Sequence, residues 1–264
     1  TDVGVDPYPP AEVCAVLTRK NCFLFFQEGA FFLAIGGAVL YNLYYVELCA
    51  EKELSMEKLL VFIPAYNCEK QVPRVLSQLL DPHVLPWVGE CIVVNNRSAD
   101  GTEAAVQDWM ARHPDAPVRL LRNDQNYGLG GSHKVAFGYA AAHGYEHLVV
   151  LHGDDQGAIA DLLPILNDGT YKKYDCCLGS RFMKGSKTGG YSALRTWGNY
   201  GFNWLFSLVA RKKITDLGSG LNLYAVGPLK NEYYKKFPDT LYFNDCMLLA
   251  LCQMKQRVLF FPIS

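Results

Sequence analysis

The chain lacks an excess of charge of either sign. Its 264 residues include 25 Lys and Arg against 26 Asp and Glu, which gives a formal net charge of −1. Without a basic stripe, no nucleic-acid partner is expected. The nine cysteines form neither a CxxC pair nor an even-numbered framework, and this favours a reducing compartment over a disulfide-stapled fold. Half of the residues are hydrophobic, which is enough for one large core.

Residues 22–46 form a stretch that has almost no charge. Glu28 is its only formal charge, and from residue 29 to 46 the chain is apolar except for Asn42. This length lies near the lower limit for a membrane-spanning helix. Three interpretations stay open: a helix packed on the rest of the protein, a helix in a membrane interface, or a true span. We therefore expect a hydrophobic helical segment at residues 1–57. No repeat or low-complexity linker divides residues 58–264, which we expect to form one domain.

From residue 59 onward, strand-like apolar runs alternate with helix-like segments. Strands are expected at residues 59–64, 91–94, 118–122, 148–151, 175–178, 221–225 and 258–263. Helices are expected at residues 71–80, 102–112, 131–143, 158–166, 194–209 and 244–254. This alternation predicts an α/β fold with a mostly parallel sheet flanked by helices.

The expected strand at residues 148–151 ends abruptly in polar residues. His152, Asp154 and Asp155 follow it within four positions. Open α/β sheets bind ligands at the carboxyl ends of their strands. Because hard divalent cations need oxygen ligands, the two carboxylates predict a site for Mn²⁺ or Mg²⁺. The alternative is that one Asp caps the following helix while the other is solvated.

Three more polar turns follow expected strands. Two of them, residues 64–67 and 95–102, stand beside helix N-termini, which suit phosphate or ribose groups. The third, residues 126–132, is rich in glycine, which lets a backbone approach a ligand or another helix closely. The order of these turns and their spacing relative to Asp154 are stronger evidence for a ligand-binding site than any one turn.

Taken in order, these motifs resemble those of family 2 glycosyltransferases of the GT-A fold, particularly the branch that uses polyprenyl or dolichyl phosphate. That branch reads P-x-Y-N-E, V-V-D-D/N-G-S-x-D-G-T, N-x-G-x-G and D-x-D. The matching segments here are residues 64–67, 93–102, 126–130 and 152–154, with further matches at 179–182, 216–224 and 243–245. The resemblance covers roughly residues 59–263. It implies a Rossmann-like GT-A domain that transfers a sugar, with inversion, from a nucleoside-diphosphate sugar to an acceptor.

The resemblance also implies a set of site residues. The cation is expected at Asp154, with His152 and Asp155 as further ligands. The residues expected to bind the donor nucleotide are Pro64, Ala65, Tyr66, Asn67, Asn95, Ser98, Gly130 and Asp154.

Two of these positions depart from the family pattern. Asn95 replaces an acid that contacts the nucleoside, and because an amide both donates and accepts, a UDP-sugar and a GDP-sugar both stay possible. His152 replaces the first acid of the metal motif, and imidazole suits Mn²⁺ better than Mg²⁺. The alternative for His152 is a histidine bonded to the backbone at the end of its strand.

Two residues are expected to act in catalysis. Arg181 follows the fifth strand and is placed to meet phosphate oxygens, although a surface ion pair is the alternative. Asp245 is the expected general base for a hydroxyl acceptor. With a lipid phosphate, whose second pKa is about 6, it would instead orient the acceptor. The alternative for Asp245 is a carboxylate favoured by a helix N-terminus. We expect Asp216 to brace its turn.

The acceptor is less defined than the donor. Residues 191–209 make an aromatic-rich helix with a basic end, a pattern typical of a membrane surface or of a helix packed on the sheet. Lys184, Lys187 and Arg195 flank a loop that either closes over an anionic acceptor or is simply solvated. Polyprenyl phosphate leads as acceptor, and a saccharide hydroxyl competes with it. A nucleotidyltransferase is disfavoured, because residues 64–67 lack the Gly-rich, basic loop of that class.

A catalytically silent module that binds nucleotide sugars also stays open, because of Asn95 and His152. A cytoplasmic location is expected, either in solution or at the cytoplasmic face of a membrane, with a role in the cell envelope. A true span at residues 22–46, with Arg19 and Lys20 inside, would instead send the domain outside. We expect the chain to be part of a longer protein.

Overall fold

The computed structural model describes residues 58–186 and 193–264, the latter with backbone alone for residues 193–197, and four short strands nearer the N-terminus. Contacts divide the chain into two units, residues 1–56 and 57–264. In the first unit the described residues form two antiparallel pairs. β1 (Val16–Thr18) pairs with β2 (Asn21–Phe23), and β3 (Leu33–Ile35) pairs with β4 (Ala38–Leu40).

All four strands lie where a hydrophobic helical segment was expected at residues 1–57, so the helix is wrong for these twelve residues. Gly36 and Gly37 stand between β3 and β4 in the sequence, and glycine is among the weakest helix formers. The remainder of residues 1–57 lies outside the described residues. Elsewhere in the described part of the chain, no helix is long and apolar enough to cross a bilayer.

The second unit is built on a seven-stranded sheet, and all seven expected strands are confirmed. In spatial order the strands run β11-β9-β10-β8-β5-β6-β7. All neighbours pair in parallel except β10, which is antiparallel to β8 and β9. Their bounds are β5 Leu59–Ala65, β6 Val88–Asn95, β7 Val118–Arg122, β8 His147–Leu151, β9 Cys176–Ser180, β10 Leu221–Ala225 and β11 Val258–Pro262.

The central strands are apolar along their whole length because both faces of the sheet are covered. On β5, Val61 and Ile63 face one hydrophobic core, while Leu60 and Phe62 face the other. This alternation follows from the two-residue period of a strand. Helices supply the outer layers: α1 Val72–Ser77, α2 Thr102–Arg112, α3 Gly128–Ala142, α4 Leu163–Asn167, α5 Ala193–Ala210 and α6 Phe243–Gln253.

The helix expected at residues 158–166 is divided in two. A 3₁₀ turn, Ile159–Leu162, precedes α4, and Pro164 occupies the first turn of α4. Proline is favoured there because the first helical N–H groups have no partner within the helix. The other expected helices agree with the structure to within three residues at either end, α1 being continued to Leu80 by a 3₁₀ turn.

The topology brings several loops to one edge of the sheet. β5, β6 and β8 are parallel, so their carboxyl ends meet there, whereas antiparallel β10 begins there. Backbone hydrogen bonds tie these ends together: His152 N donates to Gly220 O at 2.8 Å, and Gly153 N donates to Pro64 O at 3.2 Å. This edge carries most of the residues singled out in the sequence.

Candidate active site

A cleft of about 480 Å³ opens at this edge of the sheet. It combines the ends of β5, β6 and β8 with the start of α3 and with residues 240–241, which precede α6. Its lining residues are Pro64, Ala65, Tyr66, Cys68, Asn96, Asn126, Gly128, Leu129, Ser132, His152, Gly153, Asp154, Thr240 and Leu241.

The loops after β5 and β6 are bonded to each other across the mouth of the cleft. Asn67 N donates to Ser98 Oγ at 3.1 Å, and Ala99 N donates to Asn67 Oδ1 at 2.9 Å. Asn67 and Ser98 thus fix the two loops and are not among the residues that line the cleft. Pro64, Ala65 and the half-exposed Tyr66 do line it.

The structure places Asn96, rather than Asn95, in the cleft. Asn95 is buried, its Nδ2 donates to Glu103 Oε2 at 2.7 Å, and its Oδ1 accepts from Ser98 N at 3.0 Å. Asn96 lines the cleft and donates to Asn126 Oδ1 at 2.7 Å. Sequence reasoning missed Asn96 because successive strand residues point to opposite faces, and the motif alone does not say which faces the ligand.

The glycine-rich turn at residues 126–132 leaves room for another stretch of backbone to pack closely against it. Gly130 N donates to Asp239 O at 2.8 Å, and a Cβ on Gly130 would lie 2.6 Å from Pro238 O. Gly128 has φ +67° and meets the same segment. A ligand or another helix was expected here, but the close neighbour of Gly130, which does not line the cleft, is the non-helical segment at residues 238–239. An ion pair between Lys134 Nζ and Asp239 Oδ1, 2.7 Å apart, holds that segment in place.

His152 and Asp154 line the cleft together. Asp154 is exposed, and its Oδ1 accepts from Gln156 N at 3.2 Å. His152 Nε2 is buried and has no hydrogen-bond partner among the described residues. Burial lowers the pKa of His152; the Asp154 carboxylate opposes this shift and Arg181 adds to it. The pair thus offers one nitrogen ligand and one oxygen ligand.

Asp155 does not line the cleft with His152 and Asp154. With φ +62°, its carboxylate accepts from Arg74 Nε at 2.6 Å and lies 3.5 Å from Gln78 Nε2. This ion pair explains why Asp155 is not among the cleft-lining residues, and we leave it out of the metal site. Within the described ranges, no group of three or more His, Cys, Asp or Glu side chains is arranged to hold a metal ion.

The two expected catalytic residues lie in different settings. Arg181 makes a bidentate pair with the buried Asp216, through Nε–Oδ2 at 2.8 Å and Nη2–Oδ1 at 2.7 Å. Asp216 also accepts from Gly218 N at 3.2 Å, which confirms that it braces its turn. Asp245 lies in the first turn of α6, shortly after the cleft residues 240–241, and burial raises its pKa.

α5 has one packed side and one exposed side. Phe206 and Ala210 pack against the core, while Phe202, Trp204 and Leu208 are exposed. Its contact with a membrane stays a prediction. In the loop before α5, Lys184 is exposed, whereas Lys187 and the side chain of Arg195 lie outside the described residues.

The fold resembles solved glycosyltransferase structures. A mannosyltransferase from Pyrobaculum calidifontis, solved with GDP-Man and Mn²⁺, superposes with a TM-score of 0.54 at 18% identity, over 83% of this chain and 61% of that one. The sheet and its flanking helices therefore have the GT-A architecture.

Two sequence relatives are enzymes named for dolichyl phosphate. A UDP-N-acetylglucosamine–dolichyl-phosphate N-acetylglucosaminyltransferase of Methanococcus voltae is 26% identical, over 64% of this chain and 70% of that protein. A dolichyl-phosphate β-glucosyltransferase of Drosophila melanogaster is 27% identical, over 63% of this chain and 54% of that protein. The chain thus spans between 54% and 70% of the lengths of these two relatives. Residues 60–231 match the description of glycosyl transferase family 2, and the chain belongs to that family.

Proposed function

We propose that the chain is an inverting, metal-dependent glycosyltransferase that moves a sugar from a nucleoside-diphosphate sugar to a polyprenyl phosphate. The observation that carries this proposal is the cleft in which the turns after β5, β6 and β8 meet beside His152 and Asp154. The acceptor is supported by the dolichyl-phosphate names of the two relatives. Because such an acceptor is a membrane lipid, the enzyme would work at a membrane face that the cytosolic donor can reach.

The proposed cation ligands are Asp154 and His152. His152 Nε2 is buried without a hydrogen-bond partner among the described residues, and a ligand set of one imidazole and one carboxylate fits Mn²⁺. The Pyrobaculum structure contains Mn²⁺, in keeping with this choice. When bound, a divalent cation supplies positive charge that stabilises a leaving diphosphate. Two protein ligands would leave coordination positions for the donor and for water.

The proposed donor contacts follow the lining of the cleft. Pro64, Ala65, Tyr66 and Asn96 are placed to contact the nucleotide. Three other residues do not line the cleft and act indirectly through hydrogen bonds within the protein: Asn67, Asn95 and Ser98. Gly130 has no side chain, so the segment at residues 237–241 can pack closely against it. Arg181 holds the turn of Asp216 in position.

In the proposed transfer, an acceptor phosphate oxygen attacks the anomeric carbon from the face opposite the diphosphate. The bond from that carbon to the diphosphate oxygen breaks, and the nucleoside diphosphate leaves with the electron pair. A dianionic phosphate acceptor gives up no proton. A monoanionic or hydroxyl acceptor would give its proton to Asp245, whose pKa is raised by burial, as suits a general base.

Transfer in detergent micelles tests this function. The whole chain is incubated with Mn²⁺, radiolabelled UDP- or GDP-sugars and a short polyprenyl phosphate, with and without EDTA. We expect metal-dependent label in the organic phase, and its loss in Asp154→Asn. Transfer only to saccharides would refute the lipid acceptor. A folded protein that binds nucleotide but never turns over would be the silent module.

A further inference from the structure

Three asparagine side chains are joined by hydrogen bonds on one side of the cleft. Asn123 Nδ2 donates to Asn96 Oδ1 at 2.9 Å, and Asn96 Nδ2 donates to Asn126 Oδ1 at 2.7 Å. Asn123 and Asn96 are buried, whereas Asn126 is exposed and lines the cleft. Because an amide donates only from its nitrogen and accepts only at its oxygen, the end of each amide that is left free determines which ligand atoms it can bind.

Asn96 uses its whole amide group within the protein. Its Oδ1 accepts from Tyr127 N and from Asn123 Nδ2, each at 2.9 Å. Its Nδ2 donates to Asn126 Oδ1 at 2.7 Å and to Gly128 O at 3.2 Å. Because an amide has two N–H groups and two main acceptor positions, these four bonds use its capacity. Asn96 can therefore touch a nucleotide, but it has no hydrogen bond left to give it.

The same network fixes the orientation of the Asn126 amide. Its Oδ1 accepts from Gly128 N at 2.8 Å as well as from Asn96 Nδ2. A backbone N–H is only a donor, so the atom of Asn126 that it meets must be the oxygen and not the nitrogen. Nδ2 makes no hydrogen bond to any described residue. The polar group that Asn126 has left for a ligand is therefore an N–H donor.

The order of the strands separates this donor from the proposed cation. His152 and Asp154 follow β8, while Asn96 follows β6, which is the second strand from β8 in the order β8-β5-β6-β7. Neighbouring strands lie about 4.8 Å apart, so the two sides of the cleft are roughly 10 Å apart along the edge of the sheet. A nucleoside diphosphate whose phosphates meet the cation would extend its base toward Asn96 and Asn126.

We propose that Asn126 Nδ2 donates to the exocyclic oxygen of the donor's base, so that the cleft selects uracil or guanine over cytosine or adenine. This inference rests on the proposed function. Uracil and guanine carry a carbonyl oxygen at the position where cytosine and adenine carry an amino group. An amino group placed against the N–H groups of Asn126 would leave two donors facing each other, and unpaired donors weaken binding.

The first test is calorimetric titration of the whole wild-type chain with UDP, CDP, GDP and ADP, each with Mn²⁺. We expect the nucleotide that binds, UDP or GDP, to bind about tenfold more tightly than its amino counterpart, CDP or ADP. Equal affinity within the pair overturns the inference and leaves the proposed function intact. The absence of binding by all four nucleotides, in a folded sample, refutes the proposed donor site and the inference with it.

The second test reverses the polarity of the free end of Asn126. Asn126→Asp keeps the oxygen that accepts from Asn96 and Gly128, but it replaces the N–H groups by a second acceptor. Gln125→Glu is the matched control, because it adds the same charge at an exposed residue that does not line the cleft. We expect the preference for the carbonyl base to fall about tenfold in Asn126→Asp and to stay at the wild-type value in Gln125→Glu. If Asn126→Asp weakens binding of both nucleotides equally and keeps the preference, the inference is overturned. The wild-type titration decides against it on its own terms even if this variant fails to fold.

Discussion

Arg74 Nε donates to Asp155 Oδ2 at 2.6 Å, which directs that carboxylate toward α1. The adjacent Asp154 makes no such pair with any described residue and lines the cleft beside His152. Two neighbouring aspartates, chemically identical, therefore have different surroundings. The difference gives a matched pair of variants for testing the cation site.

Asp154→Asn should abolish Mn²⁺-dependent nucleotide binding, or weaken it by roughly 100-fold, because a ligand of the cation is lost. Asp155→Asn should keep that binding. It should lower the free energy of unfolding by no more than about 1 kcal/mol, as is usual for an exposed ion pair. Calorimetric titration and urea unfolding of both variants measure the two effects. Equal loss of binding in both would contradict the assignment.

Gly130 and Gly138 lie on the same helix and offer a second matched pair. A Cβ at Gly130 would meet backbone atoms of residues 238–239, whereas nothing lies within 4 Å of one at Gly138. Gly130→Ala should cost about 1–3 kcal/mol of stability through overpacking and should raise the KM for the donor, because the segment carrying Thr240 and Leu241 shifts. Gly138→Ala should be neutral, or stabilising by up to about 1 kcal/mol. Donor kinetics that are the same in both variants would show that this segment does not shape the cleft.

Asp216 is buried and forms a bidentate ion pair with Arg181, and Asp216→Ala removes that pair. Asp216→Ala should lower the free energy of unfolding by about 3 kcal/mol. Lys235→Ala is the control, because Lys235 forms an exposed pair with Glu232, and it should change stability by less than about 1 kcal/mol. Denaturant unfolding compares them, and a small effect at Asp216 would argue that the turn is held by other contacts.

The pair of Asp175 and Arg257 predicts a dependence of stability on pH. Hydrogen bonds from Arg257 hold the pKa of Asp175 below its usual range. A carboxyl whose pKa is lowered by folding stabilises the protein above its unfolded pKa, and this contribution is lost as the pH falls through the folded value. Asp175→Asn should therefore be less stable than wild type above about pH 5, with the gap closing toward about pH 2. If the stability difference between wild type and Asp175→Asn did not change with pH, the charge of Asp175 would not be its cause.

The sequence predicted the sheet because its strands are short apolar runs bounded by turn residues. The motif order also located the cleft correctly, since parallel strands bring their carboxyl ends to one edge. The N-terminal segment was less predictable. A run of apolar residues fits a helix and a pair of strands equally well when its period is unclear, as at Leu33–Ile35 and Ala38–Leu40.

Side-chain roles within the motifs were harder to predict. Asn95 and Asn96 are adjacent and chemically identical, but Asn95 bonds to Ser98 and Glu103, whereas Asn96 bonds to Asn126 and lines the cleft. The pair of Asp155 with Arg74 could not be predicted, because the left-handed backbone of Asp155, φ +62°, has no signal in the sequence. Thr240 and Leu241 were missed because they stand just before the motif at residues 243–245 and belong to none of the motifs.

Calorimetric titration of the purified chain with UDP and GDP, each with Mn²⁺ and with the metal chelated, tests the central claim most directly. The account predicts that one nucleotide binds, that chelation abolishes its binding, and that Asp154→Asn does the same. Binding that is indifferent to the metal would contradict the cation site at Asp154 and His152. The absence of binding by either nucleotide, in a folded sample, would contradict the donor site itself.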